Sequence, residues 1–199
     1  MAAKLSDEAL DTIFRSGRSY NGYTDTPVTE ADLHAIWDLM KFGPTSVNSL
    51  PGRMVWCLSD ASKEKLAALA SGTNADKIRK APAAVVIGMD AEWHEQLPTL
   101  FPHVDARAWF LGDDKATARR DAALRNSSLQ GAYFIIAARA LGFDTGPMSG
   151  FDNAAVDKAF FADTPNVTSN FIATLGVGDP ATLHGRSPRP PFDTFNRIV

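Results

Sequence analysis

The feature that most limits how this chain can fold is one long helical segment in its second half. The sequence predicts a helix from about Ala116 to Leu141, and its run LQGAYFIIAARAL, residues 129–141, is apolar on nearly every side. A helix of this kind must be covered by other elements all round, so we expect it at the centre of the fold. Gly142 follows directly, and glycine is favoured just beyond a helix end.

Three short apolar runs predict strands that pack against this helix. They are RMVWCL at 53–58, AAVVIGM at 83–89 and NFIATLGVG at 170–178, and they are rich in the branched and aromatic residues typical of strands. Helices and strands do not alternate regularly along the chain. This order favours an α+β fold over a doubly wound parallel sheet.

Caps and apolar spacing assign the other helices. Thr29 begins a helix with Asp32 as its capping-box partner, and Ser6 and Asp152 can cap two shorter helices. A further helix is predicted at 61–70. The Thr29 helix carries one apolar stripe of four residues, Leu33, Ile36, Trp37 and Met40.

Three segments are expected to lack regular structure. Residues 91–114 read as a long irregular segment, and loops of this length are often binding segments. Residues 144–152, DTGPMSGFD, read as a tight turn, and the proline-rich tail from Arg186 is expected to run extended along a surface.

Composition narrows the class of protein. The 199 residues, 45% of them hydrophobic, suit one compact domain spanning 1–199, and the net charge of -3 argues against a nucleic-acid partner. No apolar run reaches membrane-spanning length. The single Cys57 cannot form an internal disulfide, which indicates a reducing cytoplasm. We expect Cys57 to be buried and structural. No HExxH or CxxC is present, so we predict no metal site.

Five polar clusters remain as candidates for a binding site. Arginine offers a planar fork of donors for phosphate, and glycine-proline turns let the backbone approach a flat ligand. Each cluster alone is equally well explained as a solvated loop, so spacing alone identifies only an α+β domain. The clusters are RSGRSYN at 15–21, GPTSVNS at 43–49, NADK at 74–77, GPMSG at 146–150 and RSPR at 186–189.

The order of these clusters resembles that of the FMN-dependent nitroreductase family, over about residues 10 to 195. The blocks MKFGPTSVN, LFPHVDARAWF and LRNSSLQGAYFIIAARALGFDTGPMSGFD are most similar to the members that reduce malonic semialdehyde in pyrimidine degradation. The resemblance implies a mostly antiparallel sheet surrounded by helices. It also implies a homodimer that holds FMN non-covalently between its two subunits.

The resemblance assigns roles to individual residues. It places Arg18, Ser19, Arg186 and Arg189 at the FMN phosphate and ribityl chain, while Asn21-Gly22 replaces a second basic residue of the family motif. Asn74 and Lys77 fall at the pyrimidine edge of the ring. The loop that touches the flavin from the partner subunit contains Pro44, Thr45, Ser46 and Asn48. The segment beside the ring contains Pro147, Met148, Ser149 and Gly150.

The implied reaction is ping-pong hydride transfer from NADH or NADPH to malonic semialdehyde, giving 3-hydroxypropionate, without a catalytic side chain. Arg107 could clamp the substrate carboxylate and His103 could donate a proton. The alternative for these two residues is structural, with Arg107 paired to Asp105. Two other functions stay open: a broad nitroaromatic or quinone reductase, and a flavin-binding protein without turnover.

Overall fold

The computed structural model describes residues 3–199 and contains one four-stranded sheet of order β1-β2-β4-β3, in which all three pairings are antiparallel. All eight residues of β2 are buried, as expected of a central strand. The α+β fold with an antiparallel sheet is therefore confirmed. The strands are β1 Gly52–Cys57, β2 Ala83–Asp90, β3 Asp144–Met148 and β4 Val167–Gly176.

Helices of very different lengths surround the sheet. The longest has 25 residues, and among the described residues no helix is both long and apolar enough to cross a membrane. The α-helices are α1 Asp7–Leu10, α2 Glu30–Met40, α3 Asp60–Ala67, α4 Asn74–Lys80, α5 Leu97–Leu100, α6 Ala116–Ala140, α7 Asn153–Phe160 and α8 Phe192–Phe195. A π-helix, Asp11–Arg15, extends α1.

The two faces of the sheet are covered by different helices. Because side chains alternate along β2, Val85 and Ile87 pack towards α2 and α6, where Phe134 is fully buried. Val86 packs on the opposite side, in a cluster with Leu66 of α3.

The long helix packs on the sheet as predicted, through Phe134. The expectation that it is covered all round is wrong, because Leu129 and Leu141 are 40% and 39% exposed on its other side.

The capping box that begins α2 is present. Thr29 accepts from the backbone N–H of Asp32, and the Asp32 carboxylate accepts from Thr29 N–H at 2.8 Å. The Thr29 hydroxyl also donates to this carboxylate at 2.7 Å. This bond and the one from Thr29 N–H lower the pKa of Asp32, because they favour its ionised form. The caps predicted at Ser6 and Asp152 are also confirmed.

The expectation of a tight turn at 144–152 is wrong in its first half. Residues Asp144–Met148 form β3, paired with β4 from Asp144↔Gly176 to Met148↔Ile172. Two glycines and a proline make residues 144–152 look like a turn. Pro147 is accommodated because β3 is an edge strand, where a missing N–H need not interrupt a ladder on both sides.

The segment 91–114 is also more ordered than predicted. It contains α5 and the 3₁₀ helices Trp93–Gln96 and Ala106–Phe110. Trp93 is 1% exposed and anchors these pieces in a small separate core. The tail beyond Arg186 is exposed as predicted, although it includes the short α8.

Candidate functional site

A basic groove lies where the segment after α1 meets the start of the tail. Its volume is about 230 Å³. The Arg18 guanidinium donates to the His184 carbonyl at 2.7 Å, and Arg186 donates to the Gly17 carbonyl at 3.2 Å. The residues that line it include three arginines and no carboxylate, which makes it suited to an anion. They are Arg18, Ser19, Asn21, His184, Gly185, Arg186, Ser187 and Arg189.

Backbone contacts with the sheet hold this groove in place. Ser19 forms a bridge with Thr145 of β3, and Tyr20 N–H donates to the Thr145 carbonyl at 3.0 Å. From α6, Arg139 donates to the carbonyls of Ile13 at 2.9 Å and Arg18 at 3.3 Å. Burial lowers the pKa of Arg139, although Asp144 raises it. Arg139 fixes the backbone at Arg18, a role that the presence of an arginine at this position of the sequence did not predict.

A second group of predicted residues meets at the end of β3. The Asn74 amide donates to the Gly150 carbonyl at 3.1 Å, and Ser71 N–H donates to the same oxygen at 2.9 Å. A Cβ added to Gly150 would lie 2.7 Å from Asn74 Nδ2, so this approach favours glycine. Lys77 lies later on the same helix and has no ion-pair partner among residues 3–199.

Strand β3 connects these two groups along one edge of the sheet. Its residues Thr145 and Met148 are about 10 Å apart at the usual strand rise. Pro147 and Ser149 are exposed, and Met148 and Gly150 are half-buried. The structure thus gathers nine of the predicted residues along this edge: Arg18, Ser19, Asn74, Pro147, Met148, Ser149, Gly150, Arg186 and Arg189.

The loop with Pro44, Thr45, Ser46 and Asn48 is held by other elements. Tyr133 of α6 donates to the Pro44 carbonyl at 2.8 Å, and Asn48 donates to the Leu100 carbonyl at 2.8 Å. Thr45 Oγ1 accepts from the backbone N–H of Leu50 at 3.2 Å. The loop is strained, because Val47, Asn48 and Leu50 have φ of 47°, 51° and 39°.

This loop lies far from the basic groove within one chain. Ser46 N–H donates to Asn126 Oδ1 at 2.8 Å, whereas the groove is tied to Arg139 on the same helix. Residues 126 and 139 of α6 are about 20 Å apart along the helix axis. One chain therefore does not bring Ser46 to the groove.

His103 and Arg107 lie in the segment after β2. Arg107 forms a bidentate pair with Glu95, with N–O distances of 2.7 and 2.8 Å. This contact lowers the pKa of Glu95 because it stabilises the carboxylate. The considered partner Asp105 instead caps the helix Ala106–Phe110, where it accepts from Ala108 N–H at 3.4 Å. His103 is exposed, with its ring edge-on to Phe101.

Cys57 is fully buried, and this burial raises the pKa of its thiol. A reactive cysteine needs an accessible, electropositive setting, so the structural role predicted for Cys57 is confirmed.

The sequence also matches the Nitroreductase family over residues 15–179. The chain belongs to this family. It is 55% identical over 194 residues to a protein of Burkholderia lata provisionally named an NADH dehydrogenase/NAD(P)H nitroreductase, and the match covers 98% of each chain. A protein of the same provisional name from Stenotrophomonas maltophilia is 52% identical over 199 residues, the full length of both chains.

Solved structures agree with this fold. A nitroreductase-type protein of Exiguobacterium sibiricum, crystallised in complex with FMN, aligns with a TM-score of 0.85 over 100% of both chains at 20% identity. At this identity the likeness concerns the fold.

Proposed function

We propose that this chain is an FMN-dependent NAD(P)H oxidoreductase. The observation that carries the proposal is the groove with three arginines on the outer edge of β3, adjoining the Asn74–Gly150 group. The FMN bound by the Exiguobacterium sibiricum protein and the names of the two relatives, which give NADH or NAD(P)H, support the same conclusion.

The described residues fit FMN in charge and shape. Arg18, Arg186 and Arg189 would bind the phosphate through charge-assisted hydrogen bonds, and Ser19 would donate to it or to the ribityl chain. The exposed backbone of Pro147 to Gly150 leaves room for a flat ring.

Lys77 would stand at the pyrimidine edge, with its charge free of any ion pair to residues 3–199. A cation there would stabilise negative charge on the reduced ring. When bound, FMN supplies hydride transfer between a nicotinamide and a second substrate, so the chain needs no nucleophile of its own.

For the second substrate we favour malonic semialdehyde, reduced to 3-hydroxypropionate in pyrimidine degradation. Arg107 already binds a carboxylate, that of Glu95, in bidentate geometry, and the carboxylate of the substrate could replace it. Exposed His103 in the same segment could donate the proton to the forming alkoxide. The second candidate is a broad nitroaromatic or quinone reductase, favoured by the names of the relatives.

We also propose that two copies form the working unit, because the loop at residues 44–48 lies far from the groove of its own chain. Exposed apolar side chains support association: Phe42 is 80% exposed, and Leu124 and Leu129 of α6 are 47% and 40% exposed. A partner that covers these residues would remove a large apolar surface from water.

The first experiment is the absorption spectrum of the purified protein, with release and identification of the bound group and sedimentation to obtain the mass. We expect bound FMN, a dimer and bleaching under anaerobic NADH or NADPH. A colourless protein that does not bind added FMN would refute the proposal, and a bound flavin that no nicotinamide reduces would indicate a carrier. Turnover of malonic semialdehyde against a nitrofuran distinguishes the two candidate activities.

A further inference from the structure

A cluster with no part in FMN binding lies at the start of the segment after β2. It consists of Glu92, His94 and Glu95, whose candidate ligand atoms all lie within 4.8 Å of one another. His94 is only 2% exposed, although it carries two polar ring nitrogens. Its Nδ1 is buried and has no hydrogen-bond partner in the described part of the chain. Its Nε2 points at the carboxylates.

The two distances from His94 to the carboxylates suit a shared metal ion better than hydrogen bonds. His94 Nε2 lies 3.4 Å from Glu95 Oε1 and 3.7 Å from Glu92 Oε2. Around a tetrahedral ion with ligand distances of about 2.0–2.2 Å, neighbouring ligand atoms stand about 3.3–3.6 Å apart. Both distances are close to this value, while each is too long for a strong hydrogen bond.

The chemistry of the donors narrows the kind of ion. One imidazole and two carboxylates form a nitrogen and oxygen set, which suits zinc and its neighbours among the divalent transition metals better than magnesium or calcium. An imidazole binds a metal ion in its neutral form, through one of its two ring nitrogens.

The surroundings give the ligands support and leave an opening. Arg107 holds Glu95 with N–O distances of 2.7 and 2.8 Å, and Arg119 approaches Glu92 at 3.5 Å. Partners of this kind fix the orientation of metal ligands, and their charge keeps the affinity for a cation moderate. The Glu92 and Glu95 side chains are 43% and 44% exposed, which gives an ion an entry path.

We propose that Glu92, His94 and Glu95 bind one zinc-type divalent ion, with its fourth position open to water. Through Arg107 and Arg119 the bound ion would tie the helix Trp93–Gln96 to Ala106–Phe110 and to α6. No metal was predicted from the sequence, because the Glu-x-His-Glu spacing of residues 92–95 is neither HExxH nor CxxC.

The test uses untagged protein with its flavin, stripped of metal by a chelator that is then removed. Calorimetric titration with zinc chloride should show one saturable site per chain. The melting temperature should rise by about 5–10 °C at a zinc concentration about 100 times the Kd. Magnesium chloride should give neither effect. Absence of saturable zinc binding would overturn the proposal.

Variants locate the site. His94→Gln should abolish saturable binding, whereas His103→Gln, which removes an exposed histidine of the same segment, should leave the zinc affinity unchanged. Because His94 is buried and its variant could misfold, Glu92→Gln and Glu95→Gln are tested too, and each should weaken binding by at least about tenfold. Zinc affinity that is equal in all three variants would place the ion elsewhere and refute the assignment.

Discussion

The two regions that carry the candidate residues are built in different ways. Along β3 the residues are positioned by backbone bonds, such as Tyr20 N–H to Thr145 and the ladder from β3 to β4. In the segment 91–115 they are positioned by side-chain pairs such as Arg107–Glu95 between short helices. Changes in the first region should therefore affect folding and flavin binding together, while changes in the second should alter selectivity and leave the fold intact.

The largest effect is expected from Gly146→Ala on β3. The added Cβ would lie 2.5 Å from Thr174 Oγ1 and 2.6 Å from the Tyr20 carbonyl oxygen. Strand β3 must therefore move away from the backbone at Tyr20. We expect unfolding to become easier by about 1–3 kcal/mol and FMN affinity to fall with it. Denaturant unfolding and FMN titration measure both.

Gly185→Ala is the matched control for that change. Nothing lies within 4 Å of a Cβ at this position, so its free energy of unfolding should equal that of the unmodified protein. If Gly146→Ala behaves like this control, the close packing of the β3 edge does not matter to stability.

The next prediction tests whether one site uses two chains. Ser46→Trp should prevent the loop at residues 44–48 from contacting FMN, because the indole is much bulkier than the hydroxyl. The change should not disturb folding, since Ser46 is exposed and its hydroxyl has no partner within residues 3–199. Arg189→Ala should weaken FMN binding about 10–100-fold through loss of a charged hydrogen bond. Among the described residues, the Arg189 side chain bonds only the carbonyls of Ser187 and Pro188.

Mixing the two variants after partial unfolding gives the decisive readout. In a heterodimer with shared sites, one site carries both changes and the other carries neither. About a quarter of all sites should then regain full FMN affinity and reductase turnover, for random pairing in a symmetric dimer. If no activity returns in the mixture although mass spectrometry shows heterodimers, each site is made by a single chain.

The different construction of the two regions also explains what the sequence could predict. The capping box of α2, the buried β2 and the long α6 follow from local patterns that the structure confirms. Strand β3 could not be predicted, because glycine and proline at 146–147 are typical of turns and only pairing with β4 makes a strand of them.

The candidate site shows the same division. Arg18 and Arg189 were found because their blocks match the family order, and the structure brings both to one groove. Arg139 and Glu95 were missed, because their roles arise from contacts with residues that are distant in sequence, such as Arg139 with Ile13. The loop at residues 44–48 lies outside that groove, because its contacts are with the other end of α6, such as Ser46 N–H with Asn126.

A smaller effect is expected from Arg107→Ala in the segment. Its pair with Glu95 is exposed, so the free energy of unfolding should change by less than about 1 kcal/mol. The kcat/KM for malonic semialdehyde should fall about 10–100-fold if Arg107 clamps the carboxylate, and that for a nitrofuran should not change. Arg107→Lys keeps the positive charge but loses the bidentate guanidinium. Its kcat/KM for malonic semialdehyde should lie between those of the unmodified protein and Arg107→Ala. Equal losses with both substrates would rule out the clamp.

The smallest effect concerns a buried tyrosine beside β3. The Tyr23 hydroxyl lies 2.7 Å from Thr174 Oγ1, and burial raises its pKa well above the ordinary value near 10. Above about pH 10 the tyrosine of the unfolded chain loses its proton, while that of the folded chain keeps it. The free energy of unfolding must therefore fall as the pH rises above about 10. One such tyrosine lowers the free energy of unfolding by about 1 kcal/mol at one pH unit above its ordinary pKa. Tyr23→Phe should show a shallower alkaline loss in unfolding curves between neutral pH and about pH 11. If the free energy of unfolding falls equally steeply with pH in both proteins, the Tyr23 hydroxyl is not shielded from water. This part of the β3 edge would then be as open to solvent as the segment 91–114.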